Sequence, residues 1–132
     1  MAMTFYYTPM SSASRVHWAL EELGAAYEKV RVNLAEGEQK RPEYLKLNPN
    51  GKIPLLVVDG HPIFESLAQL LHLGETFGVE KGLFPEPGVE RAEAFKWMCW
   101  VSVSVHDDRG LVAAGKLSRV IVETDRFLDK AL

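Results

Sequence analysis

The segment at residues 48–56, NPNGKIPLL, constrains the fold of this chain more than any other stretch. A proline and a glycine punctuate a turn there, and Leu55–Val58 is a short apolar run of the kind that forms a buried strand. Pro54 lacks a backbone N–H, so it must lie where that strand begins or bulges. If the Ile53–Pro54 bond is cis, the N–H and C=O of Ile53 point outward, whereas a trans bond makes an ordinary turn into the strand.

A hairpin and a helix start are predicted directly after this strand. Asp59-Gly60 is a two-residue turn signal, so the chain returns antiparallel through a strand whose Pro62 must lie at the sheet edge. Ser66, with Gln69 three residues later, fits a capping box. The free N–H groups of a helix start also bind a carboxylate, and the neighbouring Glu65 can hold an ammonium. Glu65 and Ser66 together therefore also fit the head group of an amino acid, which carries both an ammonium and a carboxylate.

The N-terminal part predicts a strand, a loop and a helix. Met3–Tyr7 is rich in aromatic residues, which favour strands. Apolar residues recur on one helical face after Ser14, and Gly24 is a typical stop signal. Ser11 and Ser12 stand at the start of this helix, where serines often act as caps. Alternatively, a hydroxyl there donates a hydrogen bond to a thiolate, and with the positive end of the helix dipole it lowers the pKa of that thiol.

The next stretch completes a βαβ unit. Residues 27–33 alternate well enough for a second strand, which follows the helix at a distance suited to a right-handed parallel crossover. Residues 34–41 are charged and polar and predict a surface loop, and Pro42 is placed to open a short helix that reaches Leu47. A locally basic rim beside the proposed site is formed by Lys40, Arg41 and Lys52.

The C-terminal part is predicted to be helical. Residues 82–88 are rich in proline and glycine, which is typical of a linker. Residues 89–105 are compatible with a helix of broad apolar surface, in which Cys99 is interpreted as a small buried hydrophobic residue. Residues 110–115 resemble a junction, and residues 117–132 predict an amphipathic helix.

Composition and charge argue against several kinds of partner and site. The length of 132 residues suits one domain, or one domain with an appended piece. A net charge of −3 and a pI near 5.8 give no reason to expect nucleic acid or an anionic membrane as a partner. Without a membrane span or a signal-peptide pattern, a cytoplasmic location is expected. The single cysteine excludes an internal disulfide, and the histidines lack metal-ligand spacing, so no metal is predicted.

Together these motifs resemble the N-terminal, thioredoxin-like domain of cytosolic glutathione S-transferases. The resemblance runs from about Met3 to Gly78 and is carried by the order of its parts: Tyr7-Thr-Pro, Arg15-Val, Ala19-Leu-Glu-Glu-Leu-Gly, the segment at residues 48–54 and Glu65-Ser66. It implies an α/β fold, a thioredoxin-like βαβ-α-ββα domain with strand order 2-1-3-4 and an antiparallel fourth strand. The predicted division is a glutathione-binding domain at 1–81, a linker at 82–88 and a truncated all-α segment at 89–132.

The resemblance also implies a function. The protein is expected to bind glutathione as a co-substrate and to activate its thiolate for attack on a small electrophile. Ser11, four residues before Arg15, matches the serine-type classes and is favoured as the activating residue. Ser12 matches the place where a bacterial class has a cysteine and is the alternative. A tyrosine-type mechanism would instead use Tyr6 or Tyr7.

Residues of the turn and of the helix start supply the rest of the implied site. Lys52 matches a position that often binds the glycine carboxylate of glutathione. Ile53 would pair with the tripeptide backbone, and Glu65 and Ser66 would hold the γ-glutamyl head. The implied substrate-binding set is Lys52, Ile53, Pro54, Glu65 and Ser66.

The C-terminal part departs from the family pattern, because cytosolic glutathione S-transferases continue through a larger all-helical domain. His106 matches a histidine that lies near the sulfur in a bacterial class. The alternative function is a non-catalytic glutathione-binding or protein-interaction module, and the missing active-site cysteine counts against a glutaredoxin-like redox enzyme. A homodimer is expected, because the helix after Glu65 and the tryptophan-rich helix present more apolar surface than so short a chain buries.

Overall fold

The computed structural model describes the backbone of residues 1–104 and the side chains of residues 1–100. The chain forms two compact units, one at Met1–Leu70 and a second that begins at Leu71. Every residue predicted to bind or activate a ligand, apart from His106, lies in the first unit. His106, the junction at residues 110–115 and the helix at residues 117–132 lie outside the described residues, and the domain boundary at residues 82–88 stays a prediction.

The sheet has four strands in the order β2-β1-β3-β4, as predicted. Its strands are β1 Met3–Tyr7, β2 Glu28–Arg31, β3 Leu55–Val58 and β4 His61–Phe64. β1 pairs with β2 in parallel, while β3 runs antiparallel to both β1 and β4. Pro62 lies opposite Val57 on the edge strand β4. An edge strand tolerates proline, because the missing N–H can face the side on which no further strand pairs.

The helices also follow local signals in the sequence. They are α1 Ala13–Glu22, α2 Pro42–Leu47, α3 Ser66–Leu73 and α4 Val89–Ser104, with a 3₁₀ turn at Glu38–Lys40. Pro42 opens α2 as predicted, since the first helical position needs no N–H donor. None of the helices in the described part of the chain has the length and apolar content needed to cross a bilayer.

α1 covers the sheet and ends in a Schellman motif. Its predicted apolar face is fully buried, and Leu20 and Leu23 are at most 1% exposed. Burying one such leucine contributes about 1.5–3 kcal/mol relative to leaving it exposed. Gly24 has a φ of 58°, and its N–H bonds to the Glu21 carbonyl while the Ala25 N–H bonds to that of Leu20. The Schellman motif ends α1, and the chain then continues to β2.

One expectation about the second unit, in which α3 is followed by a π-helix at Gly74–Gly78, needs revision. Cys99 is exposed on α4, so the prediction of a buried cysteine is wrong. Among residues 89–100 only Met98 is buried, while Trp97 is 45% exposed. Apolar residues occur all round this helix, so periodicity alone does not identify its buried face.

Candidate functional site

Two side chains that sequence reasoning did not single out hold the turn before β3. Asn48 is 1% exposed; its Nδ2 donates to the Lys52 carbonyl at 2.8 Å and its Oδ1 accepts the Asn50 N–H at 3.1 Å. The Tyr44 hydroxyl donates to the same Lys52 oxygen at 2.6 Å. Burial raises the pKa of Tyr44 to about 12, so the hydroxyl keeps its proton at neutral pH. These bonds fix the peptide group that precedes Ile53.

The Ile53–Pro54 bond is cis, which was one of the two conformations that the sequence allowed. β3 begins only at Leu55, so the polar backbone groups of Ile53 lie outside the sheet ladder. In the part of the chain that the structure describes, the Ile53 N–H has no hydrogen-bond partner, and its C=O accepts the Ser12 hydroxyl at 3.2 Å. A carbonyl oxygen has two lone pairs, so both groups remain available to an extended peptide.

Ser11 and Ser12 have different contacts at the start of α1. The Ser11 Oγ donates to the Thr8 carbonyl at 2.6 Å and accepts the Ala13 N–H at 3.2 Å, one of the N–H groups without a partner inside the helix. Ser12 is exposed, and its 3.2 Å bond to Ile53 is long for an O–H donor. The bond from Ser12 joins the helix start to the turn, while the Ser11 hydroxyl is used within its own loop.

Glu65 and Ser66 form a corner between β4 and α3. Glu65 has a φ of 69°, in the left-handed region that non-glycine residues seldom adopt, and α3 begins at Ser66. Strained backbone of this kind concentrates at functional sites. The Glu65 side chain is exposed and has no ion-pair partner within the described residues. Its carboxylate is thus open to a cation.

Gln69 does not complete the capping box that was predicted with Ser66. Its side chain is fully buried, and its Nε2 donates to the Pro54 carbonyl at 3.1 Å and to the Ile63 carbonyl at 2.8 Å. Its Oε1 has no hydrogen-bond partner in the described part of the chain. The amide reaches the backbone of the turn and of β4 instead of the helix start. No local pattern signals this contact, because the two carbonyls come from other elements of the fold.

The predicted basic rim divides into two parts. A Cβ at Gly51, whose φ is 57°, would lie 2.8 Å from the Nζ of Lys40, so glycine lets this ammonium approach the turn. Arg41 pairs with Glu38 at 3.1 Å. Lys52 is exposed and has no ion-pair partner among residues 1–104. Lys40 and Lys52 are therefore the cations at the turn.

The tyrosines of β1 are packing residues. The ring of Tyr6 packs edge-on against Tyr44 at 5.9 Å, and that of Tyr7 stacks on Phe5 at 5.9 Å. The ring of His17 lies 5.8 Å from that of Tyr7. Within residues 1–104 no group of three or more histidine, cysteine or acidic side chains is arranged to hold a metal ion.

The chain is similar in sequence to known proteins. Residues 1–75 match the family profile "Glutathione S-transferase, N-terminal domain". Glutathione S-transferase F10 of Arabidopsis thaliana is 36% identical over 107 residues, which are 80% of this chain and 50% of that protein. The chain therefore spans about half the length of this curated relative.

Solved structures agree with this sequence match. A glutathione transferase homologue from Sulfitobacter, solved with bound glutathione, has a TM-score of 0.71 and 28% identity over 97% of this chain and 61% of its own. A homologue from Lodderomyces elongisporus, with two glutathione molecules per subunit, has a TM-score of 0.72 and 26% identity over 78% of this chain and 51% of its own. The profile covers more than half of the residues, and the strand order is the one expected for a thioredoxin-like domain. The chain belongs to the glutathione S-transferase family.

Proposed function

We propose that this chain binds glutathione and activates its thiol for attack on small electrophiles. The observation that carries the proposal is the backbone of Ile53, which lies outside the sheet ladder: its N–H has no partner in the described residues and its C=O accepts the Ser12 hydroxyl. Gln69 joins the next residue, Pro54, to Ile63, which lies two residues before the Glu65–Ser66 corner. Glutathione needs three kinds of contact: backbone pairing for its cysteinyl residue, a site for an amino-acid head and a cation for its second carboxylate. The first unit offers all three.

Each part of the tripeptide has a matching group. The N–H and C=O of Ile53 pair with the cysteinyl backbone. The Glu65 carboxylate holds the ammonium of the γ-glutamyl head, and the N-terminal N–H groups of α3 with the Ser66 hydroxyl receive its carboxylate. Lys52 meets the glycine carboxylate at the opposite end.

The contacts favour Ser12 over Ser11 as the residue that activates the thiol. When a ligand N–H bonds to the Ile53 carbonyl, the Ser12 hydroxyl can rotate and donate to sulfur. A hydrogen bond to a charged acceptor contributes about 1.5–3 kcal/mol against about 0.5–1.5 kcal/mol for a neutral one, so this exchange favours the thiolate. Ser11 would have to break a 2.6 Å bond to the Thr8 carbonyl and release the Ala13 N–H. The positive end of α1 adds to the stabilisation.

Titration with glutathione tests binding. We expect calorimetry to show binding of glutathione and much weaker binding of the tripeptide Glu-Cys-Gly with an ordinary α-peptide linkage. That control has the same composition, but its α-carboxylate is consumed in the peptide bond, so it cannot satisfy Glu65 and Ser66 together. Equal affinity for both peptides would contradict the proposed head-group site.

A glutathione-binding module without catalysis is the second candidate, because the chain spans only 50% of its curated relative. The two candidates differ in whether bound glutathione ionises, since the thiolate is the nucleophile. A thiol pKa near that of free glutathione in the complex favours the module. A depressed pKa, with turnover of an activated aryl halide, favours the transferase.

We also propose that the chain forms a homodimer. In the second unit Val89 is 80% exposed and Trp97 is 45% exposed, and exposed apolar surface often marks an interaction site. Light scattering at micromolar concentration is expected to give about twice the chain mass of 14.8 kDa. Trp97→Gln should shift the protein toward the monomer, and the monomer mass in the unmodified protein would contradict the proposal.

A further inference from the structure

Gln69 is a buried polar residue with an unusual set of contacts. It and Asn48 are the buried polar residues among those described, and Gln69 is 0% exposed. Both hydrogens of its Nε2 are used by the Pro54 and Ile63 carbonyls, whereas its Oε1 has no partner in the described residues. A buried acceptor without a partner lowers stability, so stability alone does not account for a glutamine at this place.

The three hydrogen bonds of Gln69 connect both halves of the proposed site. Its side chain bonds to the carbonyl of Pro54, which directly follows Ile53, and to that of Ile63 near the end of β4. Its backbone N–H bonds to the Glu65 carbonyl at 3.1 Å. The amide is planar and its two N–H groups have a fixed angle, so it sets one backbone segment relative to the other.

We propose that Gln69 is a positioning residue for glutathione binding, an inference that rests on the proposed function. It holds the Ile53–Pro54 turn in register with the Glu65–Ser66 corner. Glutathione is one molecule that must pair with Ile53 and place its head at Glu65 at the same time. A displacement of about 1 Å between two such contact points is enough to cost a large factor in binding or rate. An apolar side chain of equal volume would fill the space without fixing this distance.

The first test compares Gln69→Met with Leu70→Met. Both changes place an unbranched apolar side chain at a buried position of α3, and only the first removes the amide. S-methylglutathione is the probe, because it has no thiol to ionise. We expect calorimetry, at a temperature well below both melting temperatures, to show affinity about tenfold weaker for Gln69→Met and changed by less than about twofold for Leu70→Met.

A second variant, Gln69→Glu, adds a second measurement, the pH dependence of ligand affinity. A purely structural role of Gln69 would not produce such a dependence. In Gln69→Glu the protonated acid still donates one hydrogen bond, but the carboxylate faces two carbonyl oxygens and repels them. Burial raises the pKa of such a carboxyl. The affinity of this variant for S-methylglutathione should therefore fall as the pH rises from about 6 to about 8, while the affinity of the unmodified protein stays constant.

Amide relaxation in the ligand-free protein checks the mechanism directly. Gln69→Met should increase the mobility of the backbone N–H groups of Lys52, Ile53 and Glu65, and Leu70→Met should not. If the unmodified protein fails to bind S-methylglutathione, the proposed function is refuted and this inference with it. If it binds, and Gln69→Met binds equally well or loses affinity only in proportion to its melting temperature, the positioning role alone is refuted.

Discussion

Glu65→Ala is expected to weaken glutathione binding by about 2–5 kcal/mol, roughly thirtyfold to several thousandfold. The loss follows from leaving the γ-glutamyl ammonium covered by protein without its partner. Glu65 is exposed in the ligand-free protein, so the lower part of this interval applies if water still reaches the pair in the complex. Calorimetry at fixed ionic strength measures the change.

Matched variants separate the charge of Glu65 from its backbone conformation. Its φ of 69° imposes a similar strain on alanine and on glutamate, since both carry a Cβ, so Glu65→Ala changes the side chain with little change in backbone cost. Glu65→Gln keeps the shape of the side chain and removes its charge. Its affinity for glutathione should lie between that of the unmodified protein and that of Glu65→Ala. Unchanged affinity in Glu65→Ala would remove the head-group assignment.

Ser12→Ala is expected to raise the pKa of the bound glutathione thiol by about 1–2 units. The hydroxyl donates to the thiolate and not to the thiol, so it lowers the pKa, and its removal raises the pKa toward that of a free thiol, about 8.5. Where the pKa lies above the pH, each further unit lowers the fraction of thiolate about tenfold. The ultraviolet absorbance of the thiolate, followed against pH at saturating glutathione, measures the shift.

Ser11→Ala is the control for this experiment. It removes the 3.2 Å hydrogen bond from the Ala13 N–H and should lower the free energy of unfolding by about 0.5–1.5 kcal/mol while leaving the thiol pKa unchanged. The opposite pattern, with the pKa moved by Ser11→Ala alone, would return the activating role to Ser11. If neither variant moves an already depressed pKa, the activating group is a different one.

Local signals in the sequence predicted most of the first unit. Pro42 and Leu47 bound α2 as expected, because a proline favours the first helical position. Asp59-Gly60 predicted the antiparallel return, and Pro62 placed the resulting strand at the edge. These features depend on the conformational preferences of a few adjacent residues, so a single sequence is sufficient to predict them. The order of motifs likewise indicated the glutathione S-transferase family.

Tertiary structure decided the features that depend on distant partners. The capping box of Ser66 and Gln69 satisfied every local criterion, yet the Gln69 amide bonds to the Pro54 and Ile63 carbonyls, which the fold brings together. The different contacts of Ser11 and Ser12 depend on a carbonyl at Ile53, 41 residues from Ser12. Two adjacent serines look alike in a sequence pattern, and only the packing of α1 beside the turn before β3 determines which hydroxyl lies next to Ile53.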